Sequence, residues 1–174
     1  MDFNEKTVKE TYIYNGKILN LKKDEVGLPD GKGAIREMVE HSGGSAILCE
    51  KDGKILLVKQ FRYPYKEVIY EIPAGKLNPN EDPAVTAIRE LEEEGGIKAE
   101  RVVKMFDVYP TPAYTNEIIR IYRAEGLKET QVNLDEDEFL SAEWVDKGEI
   151  KNMIDRGEIK DAKTLIALLS VLNK

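Results

Sequence analysis

The feature that most constrains the fold is a helix signal with a clear start and stop between Asp82 and Gly96. Asp82 suits the N-cap and Pro83 suits the first turn, because an aspartate oxygen accepts a backbone N–H there and proline lacks the N–H that the first turn leaves unpaired. Gly95 and Gly96 suit the end, since glycine readily adopts the left-handed conformation that closes many helices. The sequence therefore predicts one well-delimited helix in this region.

This helix carries an acidic face beside an apolar one. At about 100° per residue, with Glu90 at zero, Glu94 falls at about 40° and Glu93 at about −60°. The apolar stripe contains Ala84, Ala87, Ile88 and Leu91. Like charges about 6 Å apart repel by roughly 3 kcal/mol at an effective dielectric of about 20, a cost that Mg²⁺ or Mn²⁺ would remove. On these residues alone, a solvated acidic patch in which Arg89 offsets Glu93 stays an open alternative.

Strand signals surround this helix. Residues 1–41 predict a small antiparallel β unit, with strands at TYIY, KILNLKKDEV and AIREMVEH and turns at Asn15-Gly16 and LPDGKG. The segment SAILCEKDGKILLVKQF predicts a hairpin through Lys51-Asp52-Gly53 and the start of a sheet core. Further strands are predicted at RVVKMFDVY, EIIRIYRAEGL and SAEWV, and two helical pieces interrupted at Gly157 in the tail. We therefore divide the chain into a β unit at residues 1–41 and a main domain at residues 42–174.

Composition narrows the class of protein. A chain of 174 residues with 41% hydrophobic residues suits one well-packed domain with a small appendage. The net charge of −7 argues against DNA or RNA as a partner, whereas local arginines or a metal can still hold a small phosphorylated ligand. No stretch approaches the roughly 18 apolar residues of a membrane span, and the single Cys49 has no intrachain disulfide partner. We expect a cytoplasmic protein with no membrane segment.

From Gly75 the chain reads GKLNPNEDPAVTAIRELEEEGGI, which resembles the complete Nudix box. Its fixed positions are filled by Gly75, Glu81, Arg89, Glu90, Leu91, Glu93, Glu94, Gly96 and Ile97. So many constraints over 23 residues make chance agreement remote. The resemblance implies the α/β Nudix fold, a mixed β-sheet sandwiched between helices, in which the box forms a loop–helix–loop that carries divalent metal.

The resemblance also implies roles for individual residues. Glu90 and Glu94 match the main metal ligands of the family, and Glu93 matches a further acidic position that binds metal directly or through water and takes part in catalysis. Ala74 matches a position whose backbone carbonyl joins the metal shell in ADP-ribose pyrophosphatases. The implied ion is Mg²⁺, with Mn²⁺ as the alternative. The supports of the loop–helix geometry would be Glu81 and Arg89.

Similarity to the ADP-ribose pyrophosphatase subfamily extends over most of the chain, through REMVEH, KQFRYP, YEIPAGK, VYPTPAYTNE, DEDEF and IKDAKT. Pro112 lies fifteen residues past Ile97, close to the marker proline of these enzymes. The resemblance implies hydrolysis of ADP-ribose to AMP and ribose 5-phosphate. One departure is Ala113, which stands where the subfamily usually has glycine and which lacks the freedom of glycine at positive φ.

Several site residues are expected outside the box. In the loop DEDEF, we expect Glu136 to be the general base and Glu138 to contact the metal, although the loop alone would pass for a solvated acidic turn. Arg62 is expected to grip the diphosphate, because a guanidinium matches phosphate oxygens in a bidentate way. Arg36 and Glu37 match positions near the adenine end, sometimes supplied by the partner subunit of a homodimer. For each of these residues, the simpler interpretation is an ordinary surface residue.

Other functions remain open at this point. The alternative enzymes are Nudix hydrolases of nucleotide sugars such as GDP-mannose, of dinucleoside polyphosphates or of oxidised nucleoside triphosphates. A different class is an ADP-ribose-binding sensor without turnover. Sensors of this kind usually have an eroded box and a fused DNA-binding domain, whereas the box here is intact. We therefore favour the hydrolase.

Overall fold

In the computed structural model, which describes residues 2–136 and 138–172, the chain forms two compact units. The first unit comprises Met1–Gly43 and Tyr109–Ile118, and the second comprises Gly44–Val108 and Ile119–Lys174. The first unit thus includes a loop from the middle of the chain. Backbone hydrogen bonds attach this loop, from Val39 N to Tyr114 O (2.7 Å) and from Asn116 N to Val39 O (3.3 Å).

The first unit is an antiparallel sheet built around one long strand. Its strands are β1 (Lys6–Lys9), β2 (Tyr12–Asn15), β3 (Leu19–Gly27) and β4 (Gly33–His41). β1 and β2 pair with successive parts of β3, and β4 pairs with β3 along its whole length. Three of these strands were predicted, whereas β1 was not, because its sequence KTVK shows no run of alternating apolar residues.

The second unit contains two sheets. Its strands are β5 (Gly44–Leu48), β6 (Glu50–Lys51), β7 (Lys54–Arg62), β8 (Glu67–Glu71), β9 (Ala74–Lys76), β10 (Ile97–Val108), β11 (Ile119–Glu129) and β12 (Leu140–Asp146). The first sheet has the order β10-β11-β5-β9 and is mixed, because β5 and β11 run parallel. The second sheet is antiparallel, with β7 paired to β12, β6 and β8.

The predicted hairpin through Lys51-Asp52-Gly53 forms, but between β6 and β7 only. The apolar run before it continues into the other sheet as β5, which pairs with β11 and β9. One stretch of sequence therefore serves both sheets. Nothing in its unbroken apolar character marks the change of sheet, so the sequence could not reveal it.

Helices cover the strands of the second unit on both faces. They are α1 (Pro83–Gly95), α2 (Lys147–Asp155) and α3 (Ala162–Leu172). Alternate β5 residues point to opposite faces, so Ala46 and Leu48 pack in a cluster with α2 and α3, while Ile47 packs in a second cluster with α1. The expected α/β fold with a mixed sheet between helices is confirmed. Among the described residues, no helix has the length and apolar character needed to cross a bilayer.

The predicted boundaries of α1 are confirmed. The Asp82 side chain accepts the backbone N–H of Ala84 at 2.7 Å, and Pro83 begins the helix. Gly96 closes it in the left-handed conformation, with φ at 62° and its N–H donated to Glu92 O at 3.1 Å. Because both ends are set locally, the angular position of each α1 side chain follows from the sequence.

Candidate active site

The acidic face of α1 lies against the short strand β9. Glu94 is only 2% exposed, and its Oε2 accepts the backbone N–H of Ala74 at 3.0 Å. Glu90 is 7% exposed, and a Cβ atom placed on Gly75 would overlap its carboxylate. The glycine at the start of the box is therefore what allows this carboxylate to approach the β9 backbone. In this way the structure brings together Ala74, Glu90 and Glu94.

Arg89 connects the loop of the box to the helix. Its Nε and Nη2 donate to the Glu81 carboxylate at 3.0 and 3.1 Å, and its Nη1 donates to Glu90 at 2.7 Å and to Glu93 at 2.9 Å. Its Nη2 also reaches the carbonyl of Lys76 at 3.3 Å. The hydrogen bonds from Arg89 lower the pKa of Glu81 to about 2. Arg89 thus holds the loop in place and shares its charge among three carboxylates.

Burial dominates the electrostatics of the two inner carboxylates. Burial raises the pKa of Glu94 to about 8; the Ala74 hydrogen bond acts to lower it, and the charges of Glu90 and Glu138 act to raise it. Burial also raises the pKa of Glu90 to about 7, although Arg89 partly offsets this. Both groups are therefore short of positive compensation, which a bound cation would supply by stabilising their ionised forms.

The donor set fits a hard divalent cation. Over residues 2–136 and 138–172, no three Asp, Glu, His or Cys side chains are close enough to form a ligand cage by themselves. Mg²⁺ does not usually need such a cage, because one or two carboxylates normally share it with water and with the phosphates of a substrate. Glu90 and Glu94 are buried oxygen donors beside the backbone of Ala74, which suits this mode of binding.

The acidic loop between β11 and β12 places its carboxylates differently. A turn joins Glu138 N to Asp135 O at 3.0 Å, and Glu138 is half-buried. Burial raises the pKa of Glu138, and the negative charges of Asp135 and Glu93 add to the effect. Glu136 is exposed on the same turn. Glu138 is therefore coupled electrostatically to a carboxylate of α1.

Arg62 ends β7 and is held by a residue that the sequence analysis did not single out. Its Nε and Nη2 donate to the two carboxylate oxygens of Glu71 at 2.5 and 2.8 Å. Glu71 is 2% exposed, while the Arg62 side chain is 39% exposed. The Arg62 charge also interacts with Glu94 and Glu138. Arg62 is therefore coupled electrostatically to the carboxylates of this region, and its side chain is partly accessible.

Three further residues complete this region and were also missed. Lys163 pairs with Glu71 and Asp161, and Thr164 accepts the backbone N–H of Ile72 at 2.9 Å. The sequence did contain one signal for Lys163. This residue falls on the apolar stripe of α3 with Ala167, where a lysine needs a buried partner. The segments YEIPAGK and IKDAKT were recognised only as similar to the subfamily, and their contact depends on the tertiary fold.

The remaining candidates lie in the first unit. Arg36 donates from Nε and Nη2 to Glu5 at 2.8 and 2.5 Å, and Glu37 and Pro112 are exposed.

In the second unit, Cys49 is buried, and burial raises the pKa of its thiol to about 12. Cys49 therefore stays protonated at neutral pH and behaves as a packing residue.

Comparison with known proteins adds family assignments to this geometry. The NUDIX domain model matches residues 39–168, and the model of the nucleoside diphosphate sugar hydrolase N-terminal domain matches residues 5–39. The ADP-ribose pyrophosphatase of Bacillus subtilis is 42% identical to this chain, covering 94% of it and 90% of the relative. The methanol dehydrogenase activator of Bacillus methanolicus is also 42% identical, covering 95% and 91%.

A solved structure shares the fold at much lower identity. The crystal structure of an ADP compounds hydrolase matches with a TM-score of 0.86, covering 99% of this chain and 95% of that chain. The two sequences are 17% identical, so this likeness bears on the fold alone.

Proposed function

Because the chain belongs to the Nudix hydrolase family, we propose that this enzyme hydrolyses the diphosphate of ADP-ribose to AMP and ribose 5-phosphate. Membership rests on the domain match over residues 39–168 and on the 42% identity to an ADP-ribose pyrophosphatase. The observation that carries the proposal is the buried pair Glu90 and Glu94 on α1, with the guanidinium of Arg62 beside it. Buried carboxylates and an arginine are what a metal-bound diphosphate requires.

Members of this family generally need a divalent metal, and we propose Mg²⁺, with Mn²⁺ second. Glu90, Glu94 and the carbonyl of Ala74 would hold it, with Glu93 and Glu138 as further contacts. When bound, the ion would neutralise charge on the phosphoryl oxygens and stabilise the leaving phosphate. Arg89 already pairs with Glu90 and Glu93 at 2.7 and 2.9 Å, so it keeps both side chains on the face where the ion is expected.

The other steps fall to the side chains themselves. Water adds across the P–O–P bond, so one phosphorus gains the oxygen of water and the other phosphate leaves. Arg62 binds the diphosphate through the guanidinium edge that does not bind Glu71. Glu136 accepts the proton of the water, since an exposed carboxylate that is not a metal ligand remains free as a base. In the first unit, Pro112, Arg36 and Glu37 are proposed to contact the substrate, the last two near its adenine end.

The second candidate is hydrolysis of a nucleotide sugar such as GDP-mannose. It is favoured by the match of residues 5–39 to the N-terminal domain of nucleoside diphosphate sugar hydrolases. Both reactions break the same diphosphate bond, so Glu90, Glu94 and Arg62 would act identically. A sensor that binds ADP-ribose without turnover is less well supported, because all the acidic positions of the box are present.

One assay separates these candidates. Pure protein is incubated with Mg²⁺ and ADP-ribose, ADP-glucose, GDP-mannose, NADH, diadenosine polyphosphates or 8-oxo-dGTP, and products are quantified. We expect the highest kcat/KM with ADP-ribose, and water labelled with ¹⁸O will show which product receives the oxygen. A higher kcat/KM with GDP-mannose would replace the proposed substrate, and binding of ADP-ribose without any turnover would favour the sensor. Because no second protein is added, turnover will also show that hydrolysis needs no protein other than this one.

We further propose that the protein is a cytoplasmic homodimer assembled through the first unit. Large apolar side chains are exposed on this unit, namely Phe3, Val8, Tyr12, Ile13, Tyr14, Ile18, Leu19 and Ile35. A sheet of this size buries little of its own apolar surface, and a second copy would cover it. Sedimentation at micromolar concentration should give a dimer. A monomer with full activity would remove Arg36 and Glu37 as contacts supplied by a partner subunit.

A further inference from the structure

The site contains a buried lysine that no step above uses. Lys163 lies in the first turn of α3, and its side chain is 8% exposed. Its Nζ donates to Oε2 of Glu71 and, at 3.0 Å, to Oδ2 of Asp161. Burying an ammonium group is costly unless it is paired, and both partners here are carboxylates. Because it is enclosed, Lys163 acts through these neighbours and does not reach a ligand itself.

The contact between Glu71 and Arg62 has a defined geometry. Glu71 lies opposite Val58 in the ladder of β7 and β8, and Val58 is four residues before Arg62. Alternate residues share a face of a strand, so the long side chains of Arg62 and Glu71 lie along the same face and meet end to end. Glu71 accepts from Nε and Nη2 of Arg62, which is one edge of the guanidinium.

The other edge of Arg62 is left for a ligand. An arginine side chain has five N–H donors in a rigid plane, and among the described residues the side-chain hydrogen bonds of Arg62 engage Nε and Nη2 only. Both N–H groups of Nη1 and one of Nη2 remain. These form a second fork, which matches two phosphate oxygens. Fixing the first edge to Glu71 therefore also fixes the direction in which the second edge points.

The charge balance gives Lys163 a second effect. Arg62 and Glu71 alone would form a neutral pair, in which the carboxylate competes with a phosphate for the guanidinium charge. Lys163 shares that carboxylate. Burial alone would raise the pKa of Glu71, but the hydrogen bond from Arg62 and the charges of Lys163 and Arg62 lower it instead. Glu71 thus stays ionised between two cations; because Asp161 balances the charge of Lys163, the main effect of Lys163 on Arg62 is to hold Glu71 in place.

The base of this arrangement is rigid. Oδ2 of Asp161 accepts from the backbone N and the hydroxyl of Thr164 at 3.0 and 2.6 Å, so Asp161 caps α3 while it holds Lys163. Thr164 is fully buried and accepts the N–H of Ile72, the residue after Glu71. The start of α3 is therefore attached to the end of β8, and Lys163 and Glu71 are fixed relative to each other.

We propose that Lys163 is a positioning residue for diphosphate recognition: it holds Glu71, and Glu71 holds one edge of Arg62 so that the other edge faces the diphosphate. This inference rests on the proposed function, because it names how that site recognises its substrate class. It concerns the diphosphate only and holds for ADP-ribose and for a nucleotide sugar alike.

A double-mutant cycle tests the proposal. Lys163→Met removes the charge at similar length, and we expect KM for ADP-ribose to rise by about 10-fold while kcat changes less than about 3-fold, because Arg62 binds substrate and transition state alike. In the Arg62→Ala background the same change should alter KM by less than about 2-fold. An equal rise in both backgrounds would show that Lys163 acts on the fold in general, and the proposal would be wrong.

A matched control is Lys160→Met, because Lys160 is an exposed lysine of the same segment that pairs with Glu67 at 3.0 Å. It should leave KM unchanged. Glu71→Gln is the second variant, which serves if Lys163→Met folds poorly. If Glu71 orients Arg62, Glu71→Gln raises KM; if Glu71 merely competed with the phosphate, the same variant would lower KM and overturn the proposal. Thermal melts ensure that every variant is assayed while folded.

A readout independent of turnover separates this inference from the proposed function. The ¹⁵N–¹H signal of Arg62 Nε should be sharp in the native protein, because the group is hydrogen-bonded, and should broaden in Lys163→Met and in Glu71→Gln. An unchanged signal in Lys163→Met would overturn the proposed positioning role of Lys163 even if ADP-ribose is hydrolysed. If the native protein hydrolyses no diphosphate, the proposed function fails, and ADP-ribose binding measured by calorimetry in EDTA takes the place of KM in the cycle.

Discussion

Two groups of carboxylates in the second unit differ in what holds them. Glu90 and Glu94 lie on α1, which is capped by Asp82 and Gly96 and packed through Ala87 and Leu91, and both are at most 7% exposed. Glu136 and Glu138 lie on the turn before β12, and their positions depend on a backbone hydrogen bond of 3.0 Å from Glu138 to Asp135. The helix carboxylates are therefore fixed by packing, while the loop carboxylates are held mainly by local turn geometry.

This difference suits a division of work between the groups. A metal site requires oxygen donors that are held in place before the ion arrives, and a packed helix provides that. A general base must reach a water molecule and exchange protons, which favours an exposed carboxylate on a turn. Glu138 is intermediate, because it is half-buried and electrostatically coupled to Glu93 while lying on the loop. If the helix binds the metal and the loop supplies the base, changes in the two groups should have separable effects.

The largest effect is expected from losing the metal site. Glu94→Gln should weaken Mg²⁺ binding and lower kcat/KM together, by about 10³ or more, because a Lewis acid supplies several kcal/mol of transition-state stabilisation. Chelation with EDTA should abolish turnover. Activity and Mg²⁺ titrations measure both effects. Glu92→Gln is the control, since Glu92 is on the same helix but pairs with Lys98 at 3.3 Å. Full activity in excess EDTA would end the metal assignment.

The loop is tested by comparing its two glutamates. Glu136→Gln should lower kcat by about 10² to 10⁴, the range for a general base, with little change in KM or in Mg²⁺ dependence. Glu138→Gln should instead shift the Mg²⁺ concentration that gives half-maximal rate. These parameters come from steady-state kinetics at several Mg²⁺ concentrations.

The competing result is specific. If Glu136→Gln keeps near-normal kcat while Glu138→Gln or Glu93→Gln loses it, that other carboxylate is the base. The half-buried position of Glu138 near the helix carboxylates makes it the main competitor. If the base is Glu138, it still lies on the loop and the division of work holds. If the base is Glu93, it lies on the helix and the division of work is wrong.

The same contrast explains how much could be predicted from sequence. The ends of α1 and the shared face of Glu90 and Glu94 depend on residues within one helix, so caps and periodicity were sufficient. The pairing of Glu71 with Lys163 was beyond such reasoning, because it joins residues 92 positions apart through the packing of α3 on β8. The assignment of β5 and β6 to different sheets was missed for the same reason. Which of Glu136 and Glu138 approaches the helix carboxylates likewise depends on a turn that has no strong sequence signal.

A moderate effect is expected from Gly75→Ala, which tests whether β9 holds the helix carboxylate. The added Cβ would overlap the Glu90 carboxylate and displace it from the β9 backbone. We expect kcat/KM to fall by about 10- to 10²-fold, the scale of a misplaced catalytic group, with a normal circular dichroism spectrum. Gly33→Ala is the matched control, because a Cβ there meets nothing within 4 Å. Equal activity in both variants would show that Glu90 does not need its close approach to Gly75.

The smallest effect concerns stability against pH in the absence of divalent metal. The pKa of Glu94 is raised from 4.5 to about 8 in the folded protein, and that of Glu90 to about 7. Between about pH 4.5 and pH 8 the folded state binds more protons than the unfolded state, so the free energy of unfolding falls as pH rises. The contribution is fully present below about pH 4.5 and lost by about pH 8. The opposite shift of Glu81, to about 2, acts only below about pH 4.5 and does not overlap this window.

In EDTA, the melting temperature should therefore fall by several degrees or more between about pH 5.5 and pH 8.5, since a change of one in a pKa is worth about 1.4 kcal/mol and about 1 kcal/mol corresponds to about 2–4 °C for a chain of this size. Glu94→Gln should reduce the slope, because an amide does not titrate, and Glu92→Gln should leave it unchanged. Saturating Mg²⁺ should also flatten it, since a cation favours the ionised carboxylates. A slope that persists in Glu94→Gln would show that the burial of this helix carboxylate is not what sets the pH response, and the contrast with the loop would lose its electrostatic basis.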